Sequence, residues 1–248
     1  ITAGYPAKSA VINEIMYNPV SGAPEWFEIR NVSQERINLT DWFFKDSQNN
    51  LNYITRNIAF LDSGDYVVVT EDMSFLNHYP GFMQKLILAP TFPTLNNNSD
   101  SLVIIDAAGN YIDSLFYTSE WGLDKGRSLE RQSPRKASGS MANWSLSKAE
   151  LGATPGAMNS IAMQRYDLAV DSVWTKEGKI LAEDTARVKV GLKNTGIEPI
   201  SDYMILINMY ETDSLSKHIY ENEIHDTIKI ESESSLISQF VIPVISGG

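Results

Sequence analysis

An all-β chain of two sandwich domains in tandem is predicted by three features of the 248 residues. Apolar residues alternate with polar ones in several short runs, which is the period of a half-buried strand. Fifteen Gly and ten Pro, with many Asn, Asp and Ser, interrupt those runs and favour turns over long helices. Beyond one short segment, no stretch sustains the 3.6-residue period of a helix.

The elements follow in order. In residues 25–31, Phe27 and Ile29 alternate with Glu28 and Arg30, and Trp26 falls on the polar side. Residues 65–70 are a β-branched strand run, Tyr66-Val67-Val68-Val69. A short helix is expected next, with Thr70 as cap, Glu71 and Asp72 in the first turn, Phe75, Leu76 and Tyr79 on one side, and Pro80-Gly81 as the stop. Residues 101–106 contain Leu102-Val103-Ile104-Ile105, apolar on both faces, and read as a central strand. Asp106 to Asn110 supplies turn residues before the partner strand at 111–117, a hairpin.

Turn residues at 152–156 and Asn159-Ser160 mark a break, so domains are expected at 1–160 and 161–248. In the second, Val188, Val190 and Leu192 share one face of a strand at 187–193, and Asn194-Thr195-Gly196 turns the chain. Further strands are expected at 203–210, 224–230 and 236–242. About six strands in so short a span suggest an immunoglobulin-like sandwich.

The net charge is −11, with 12 Lys and Arg against 17 Asp and Glu before residue 160 and 8 against 14 after it. Acidic halves gain nothing from counterion release, so nucleic acid is not an expected partner. One basic stretch, Lys125, Arg127, Arg131, Arg135 and Lys136, is a candidate anion contact, weighed against a solvated loop. There is no Cys, which removes thiolate chemistry and Cys-ligated metals. No run of about 18 apolar residues is present, so membrane insertion is not expected.

His78, His218 and His225 have neither triad context nor zinc spacing. Glu14, Glu25 and Glu28 are the carboxylates to consider for hydrolysis, which needs two such groups about 5–10 Å apart. Glu25 and Glu28 fall on opposite faces of their strand, so they are no local pair. Asn96, Asn98 and Asp100 form a weak calcium candidate, with amide oxygens but one carboxylate, against a simple Asx-rich turn. Trp42, Trp121 and Trp26 are a candidate ligand platform, since exposed aromatics bring large area at low entropy cost, against burial in the core. Adjacent Trp42 and Phe43 point to opposite faces. Asp-Ser/Thr-apolar occurs at Asp100, Asp113, Asp171, Asp184, Asp213 and Asp226 and resembles an O-glycosylation acceptor of certain bacterial envelopes.

Eight strings in order carry a family resemblance. They are VINEIMYNP (11–19), EWFEIRN (25–31), INLTDWFFKD (37–46), GDYVVV (64–69), LNNNSDSLVIIDAAGNYIDSLFY (95–117), GRSLER (126–131), NWS (143–145) and ATPGAMN (153–159). Together they resemble the bacterial branch of the lamin tail domain family. That resemblance implies an immunoglobulin-like sandwich without a catalytic motif of its own, in exported and surface proteins. YDLAVDSV (166–173), ARVKVGLKNTG (186–196) and FVIPVISGG (240–248) resemble bacterial adhesion-related domains of the CARDB type. In such domains another strand follows a Gly pair like Gly247-Gly248, so the second module reads as incomplete at its C-terminus.

The functional expectation is a non-enzymatic module pair for binding, adhesion or spacing, outside the cell or in the envelope of a bacterium, with a signal peptide removed. No resident cofactor is expected, calcium aside. A protein or glycan surface is the expected partner class. The alternative is an accessory role in a larger secreted nuclease or phosphoesterase whose catalytic part lies outside this chain.

Overall fold

The computed structural model describes residues 4–175, 185–211 and 214–243. The chain forms two compact units, Ile1–Ala162 and Met163–Gly248. Both are built of strands, as the alternation predicts.

In the first unit the strands are β1 (Ala10–Met16), β2 (Trp26–Asn31), β3 (Ile37–Asn38), β4 (Phe43–Lys45), β5 (Asn52–Tyr53), β6 (Phe60–Leu61), β7 (Tyr66–Thr70), β8 (Lys85–Leu88), β9 (Ser99–Ile105), β10 (Tyr111–Thr118), β11 (Leu129–Arg131) and β12 (Trp144–Leu146). One sheet runs β12-β11-β1-β2-β7-β8 and a second runs β10-β9-β4-β5, with β3 and β6 paired alone. Only β7 and β8 pair in parallel among these ladders. Ile12, Ile15, Phe27, Ile29 and Val69 from the larger sheet pack with Trp42, Phe44, Leu102, Ile104 and Leu115. This is the immunoglobulin-like sandwich that the resemblance implies.

Strand β2 is not half-exposed as its alternation predicts. Phe27 and Ile29 enter the main core, while Trp26 joins a second cluster with Met16, Val68, Phe75 and Ala153 on the outer face. The helix α1 (Phe75–His78) covers that face and is shorter than expected. Thr70 does not cap it. Thr70 ends β7 and donates its hydroxyl to the Glu25 carbonyl at 2.9 Å. Asp72 instead accepts the Ser74 N–H at 2.6 Å just before the helix. The β9–β10 hairpin forms where expected, with Asp106 accepting the Ala108 and Asn110 N–H groups in its turn. β9 is central, although Val103 on its second face is half-buried.

In the second unit β13 (Leu168–Thr175), β14 (Thr185–Asn194) and β17 (Ser235–Pro243) form one sheet, and β15 (Tyr203–Glu211) with β16 (Ser214–Asp226) another. Val188, Val190 and Leu192 point into its core with Tyr203, Ile205 and Ile230. The strand expected at 224–230 ends at Asp226, and Ile230 makes only an isolated bridge to Ile200. Asp184, Asp213 and the Gly247-Gly248 pair lie outside the described residues, as does the His218 side chain.

Candidate functional site

Three buried glutamates of the first unit converge on the outer face of its larger sheet. β1 carries a register shift between Ile12 and Glu14. Regular alternation would send Glu14 inward with Ile12. The irregularity keeps both Ile12 and Ile15 in the core and turns Glu14 outward. Glu14 then lies directly opposite Glu28 on β2 and Glu130 on β11. All three side chains belong to residues with no exposure.

Residues 152–161 cross this row as a strap. The Thr154 N–H donates to Glu14 Oε1 at 2.9 Å, and its hydroxyl donates to Glu130 Oε1 at 2.9 Å. The Gly156 N–H donates to Glu28 Oε2. The Ser160 hydroxyl and the Ile161 N–H both reach Glu130 Oε2, at 2.7 and 3.2 Å. From the sheet side, Ser128 donates to Glu14 at 2.5 Å and Asn13 to Glu28 at 2.8 Å. Asn159 finishes the seam by donating to the carbonyls of Asn13 and Arg131 at 2.9 and 2.8 Å. Two glycines let the strap lie this close. Gly152 has φ +77° and its Cα faces the Gly126 carbonyl, which an added Cβ would meet at 2.2 Å; Gly156 has φ +74°.

Burial dominates the electrostatics. Desolvation pushes the Glu14 carboxyl up to about 8, with the Glu130 charge adding to it and the hydrogen bonds opposing it. Glu28 is raised well above 4.5 by desolvation and then by Glu14. Arg30 is the cation that lowers Glu28, and its guanidinium stacks over Tyr66 at 5.2 Å. Glu25 stands apart from this row. It accepts the Leu95 N–H at 2.7 Å, and desolvation pushes it to about 7.

Beside the strap runs an apolar groove of about 340 Å³ lined by Tyr79, Pro80, Phe82, Leu151, Ala153 and Pro155, among others. A smaller recess of about 100 Å³ shares Tyr79 and Leu151 and adds Met16, Val20 and His78. Leu151, at the rim of both, is 72 % exposed.

The residues expected to form sites lie elsewhere. Trp26 and Trp42 have 1 % and 0 % exposure and pack cores, so they present no platform. Their neighbours explain it: Phe44 and Tyr5 enclose Trp42's core, and Phe75 and Tyr79 stand edge-on to Trp26. Trp121 is half-buried against the main core. Phe43, which follows Trp42, packs at a tilt against Tyr53 with ring centroids 4.4 Å apart. The calcium candidate is an anchored turn. Asp100 accepts the N–H groups of Ser47, Asn96 and Ser101 and the Asn96 side-chain amide, so its oxygens face donors. Among the described residues no group of three or more His or acidic side chains is placed to hold a metal.

The basic stretch is divided in the same way. Arg131 is buried against Asp113, and Arg127 donates to the carbonyls of Ser147 and Ala149. His78 lies 3.3 Å from the Gly22 carbonyl and His225 is an exposed strand residue. Glu130, Thr154 and Leu151 had no signal in the sequence: the first sits in an ordinary strand, and the others in turn-rich chain.

Residues 4–119 match the model of the Lamin Tail Domain family. No curated protein matches the chain. Among solved structures it is similar to the exo-chitosanase CsxA of Amycolatopsis orientalis, at 13 % identity and a TM-score of 0.22 over 92 % of this chain. The chain spans 23 % of that enzyme's length. Among the described residues no helix is long and apolar enough to cross a membrane.

Proposed function

From an N-terminal unit whose residues 4–119 are a lamin tail domain, we propose that the chain is a non-catalytic module pair for binding, adhesion or spacing. It acts on an exported bacterial protein, outside the cytoplasm. The observation that carries this reading is the engagement of the buried carboxylates. Among the described residues Glu14, Glu28 and Glu130 stand side by side and buried on neighbouring strands, and their oxygens accept hydrogen bonds from a covering strap. A hydrolytic pair needs room for substrate and water between its carboxyls. The exposed feature next to it is an apolar groove, which suits docking of a surface partner.

Binding of the chain to glycan arrays, peptidoglycan and whole bacterial cells tests this directly, with Leu151→Asp and Phe82→Asp as groove variants. Binding that both variants abolish supports the groove as the contact. Negative results throughout leave the spacer role. Turnover of chromogenic glycosides or phosphodiesters that Glu14→Gln abolishes would overturn the reading.

A further inference from the structure

We propose that residues 152–161 are a pH-sensitive strap, held closed over Glu130, Glu14 and Glu28 while the row retains a proton and released when the row ionises. Three strands place these side chains at directly opposed positions. Opposed residues in antiparallel pairs have Cβ atoms about 4.5–5.5 Å apart. Three like charges at that spacing, without water, repel strongly, and the row is stable only if it is partly neutral.

The groups facing the row are few. Arg30 comes from β2 and acts on Glu28. Tyr66 on β7 and Tyr79 after α1 have phenols raised chiefly by burial, with a smaller contribution from the glutamates, Glu28 and Glu14 on Tyr66 and Glu14 on Tyr79. Arg131 on β11 is on the core side, paired with Asp113. Residues 152–161 contain no charged side chain. The strap therefore brings donors, which favour the ionised carboxylates, but no cation, and burial with mutual repulsion outweighs those donors. Burial raises Glu28 well above 4.5 and Glu14 to about 8, and the Glu14 value places the release on the alkaline side of neutrality.

Release has a defined structural consequence. Ala153, Thr154, Pro155 and Ala157 of the strap line the groove, and Ala153 covers Met16, Trp26 and Val68. An open strap dismantles the groove and exposes that apolar floor. The latch rests on the hydrogen bonds and the register alone and stands whether or not the groove has a ligand.

The chain has no Cys, so Ala153→Cys introduces a single thiol at a position that is 5 % exposed. Its labelling by a maleimide, divided by the rate of a free thiol at the same pH, reads strap opening. Each proton released by the row contributes up to about tenfold per pH unit. The normalised rate is expected to rise at least about tenfold from about pH 6 to about pH 9, and to stay flat when Glu14→Gln and Glu28→Gln are combined with it. A flat rate in the parent, or the same rise in the Gln background, overturns the proposal. Should Ala153→Cys fail to fold, hydrogen exchange of the Thr154 and Gly156 amides in the native sequence and in the Gln double variant, corrected for intrinsic rate, reads the same opening with the same two outcomes.

Discussion

Asp113 on β10 and Arg131 on β11 form an ion pair at 2.9 Å with both side chains wholly buried, and it joins the two sheets of the first unit. Asp113 also accepts the Ile12 N–H at 2.9 Å and the Ser138 hydroxyl at 2.6 Å, and Lys8 reaches it from the surface. Arg131 donates from Nε to the Ile12 carbonyl at 2.7 Å and stacks over Trp144 at 4.9 Å.

Asp113→Ala leaves Arg131 charged and buried without its carboxylate, and Arg131→Ala leaves the buried Asp113 with Lys8 at the surface as its remaining cation. Asp113→Ala or Arg131→Ala is expected to cost about 3–5 kcal/mol. A lower urea midpoint for the first unit, read by near-ultraviolet circular dichroism, checks it. Replacing both residues with apolar ones of similar volume is expected to recover much of the loss.

The burial of Glu14 makes stability fall as pH rises towards about 8. Glu14 titrates near 4.5 when unfolded and at about 8 when folded, so the folded state holds the extra proton between those values. Its contribution is complete below pH 4.5 and is lost as pH rises through about 8. Within that window stability falls by about 1.4 kcal/mol per pH unit for each retained proton. Glu14→Gln is expected to flatten the slope in a series of thermal melts.

Asp100 gives the opposite sign. Burial raises its carboxyl, but its four donors together outweigh that and hold it below its ordinary 3.8, so its stabilisation is present above that value and lost as pH falls through the folded value. Asp100→Ala orphans those donors and is expected to cost about 1–3 kcal/mol. Calcium is expected to leave the melting temperature of the parent unchanged, since a ligand at a hundred times its Kd would add about 2.7 kcal/mol.

Trp42 is a core residue, and Trp42→Ala is expected to destabilise the first unit by about 3–5 kcal/mol in chemical denaturation. Trp174 on β13 is 39 % exposed, while Trp26, Trp42 and Trp144 are buried. Iodide quenching is expected to reach Trp174 and to spare those three. Loss of the quenchable fraction in Trp174→Phe checks the assignment.

The strands were legible where one property decided them. Val188, Val190 and Leu192 alternate with charged residues on β14, and only one face of that strand has a core to fill. The β9–β10 hairpin was legible because Asp106, Gly109 and Asn110 mark its turn. The site was not. Glu14 reads as an inward residue of β1 until the irregularity at Asn13 changes its face, and a one-residue insertion has no composition signal. Glu28 reads as surface charge because alternation marks the face away from the core, and it does not reveal that a strap distant in sequence covers that face. Trp42 and Trp26 illustrate the converse, since an aromatic residue looks the same in a platform and in a core.

Native-state hydrogen exchange of the Thr154, Gly156 and Ile161 amides at mildly acidic pH tests the fastening of the strap most directly. These N–H groups donate to Glu14, Glu28 and Glu130. Protection comparable to the central strands β1 and β2 is the predicted result. Exchange at the rate of unstructured chain would show that the glutamates hold nothing down, and the assignment of these carboxylates to structure would fail with it.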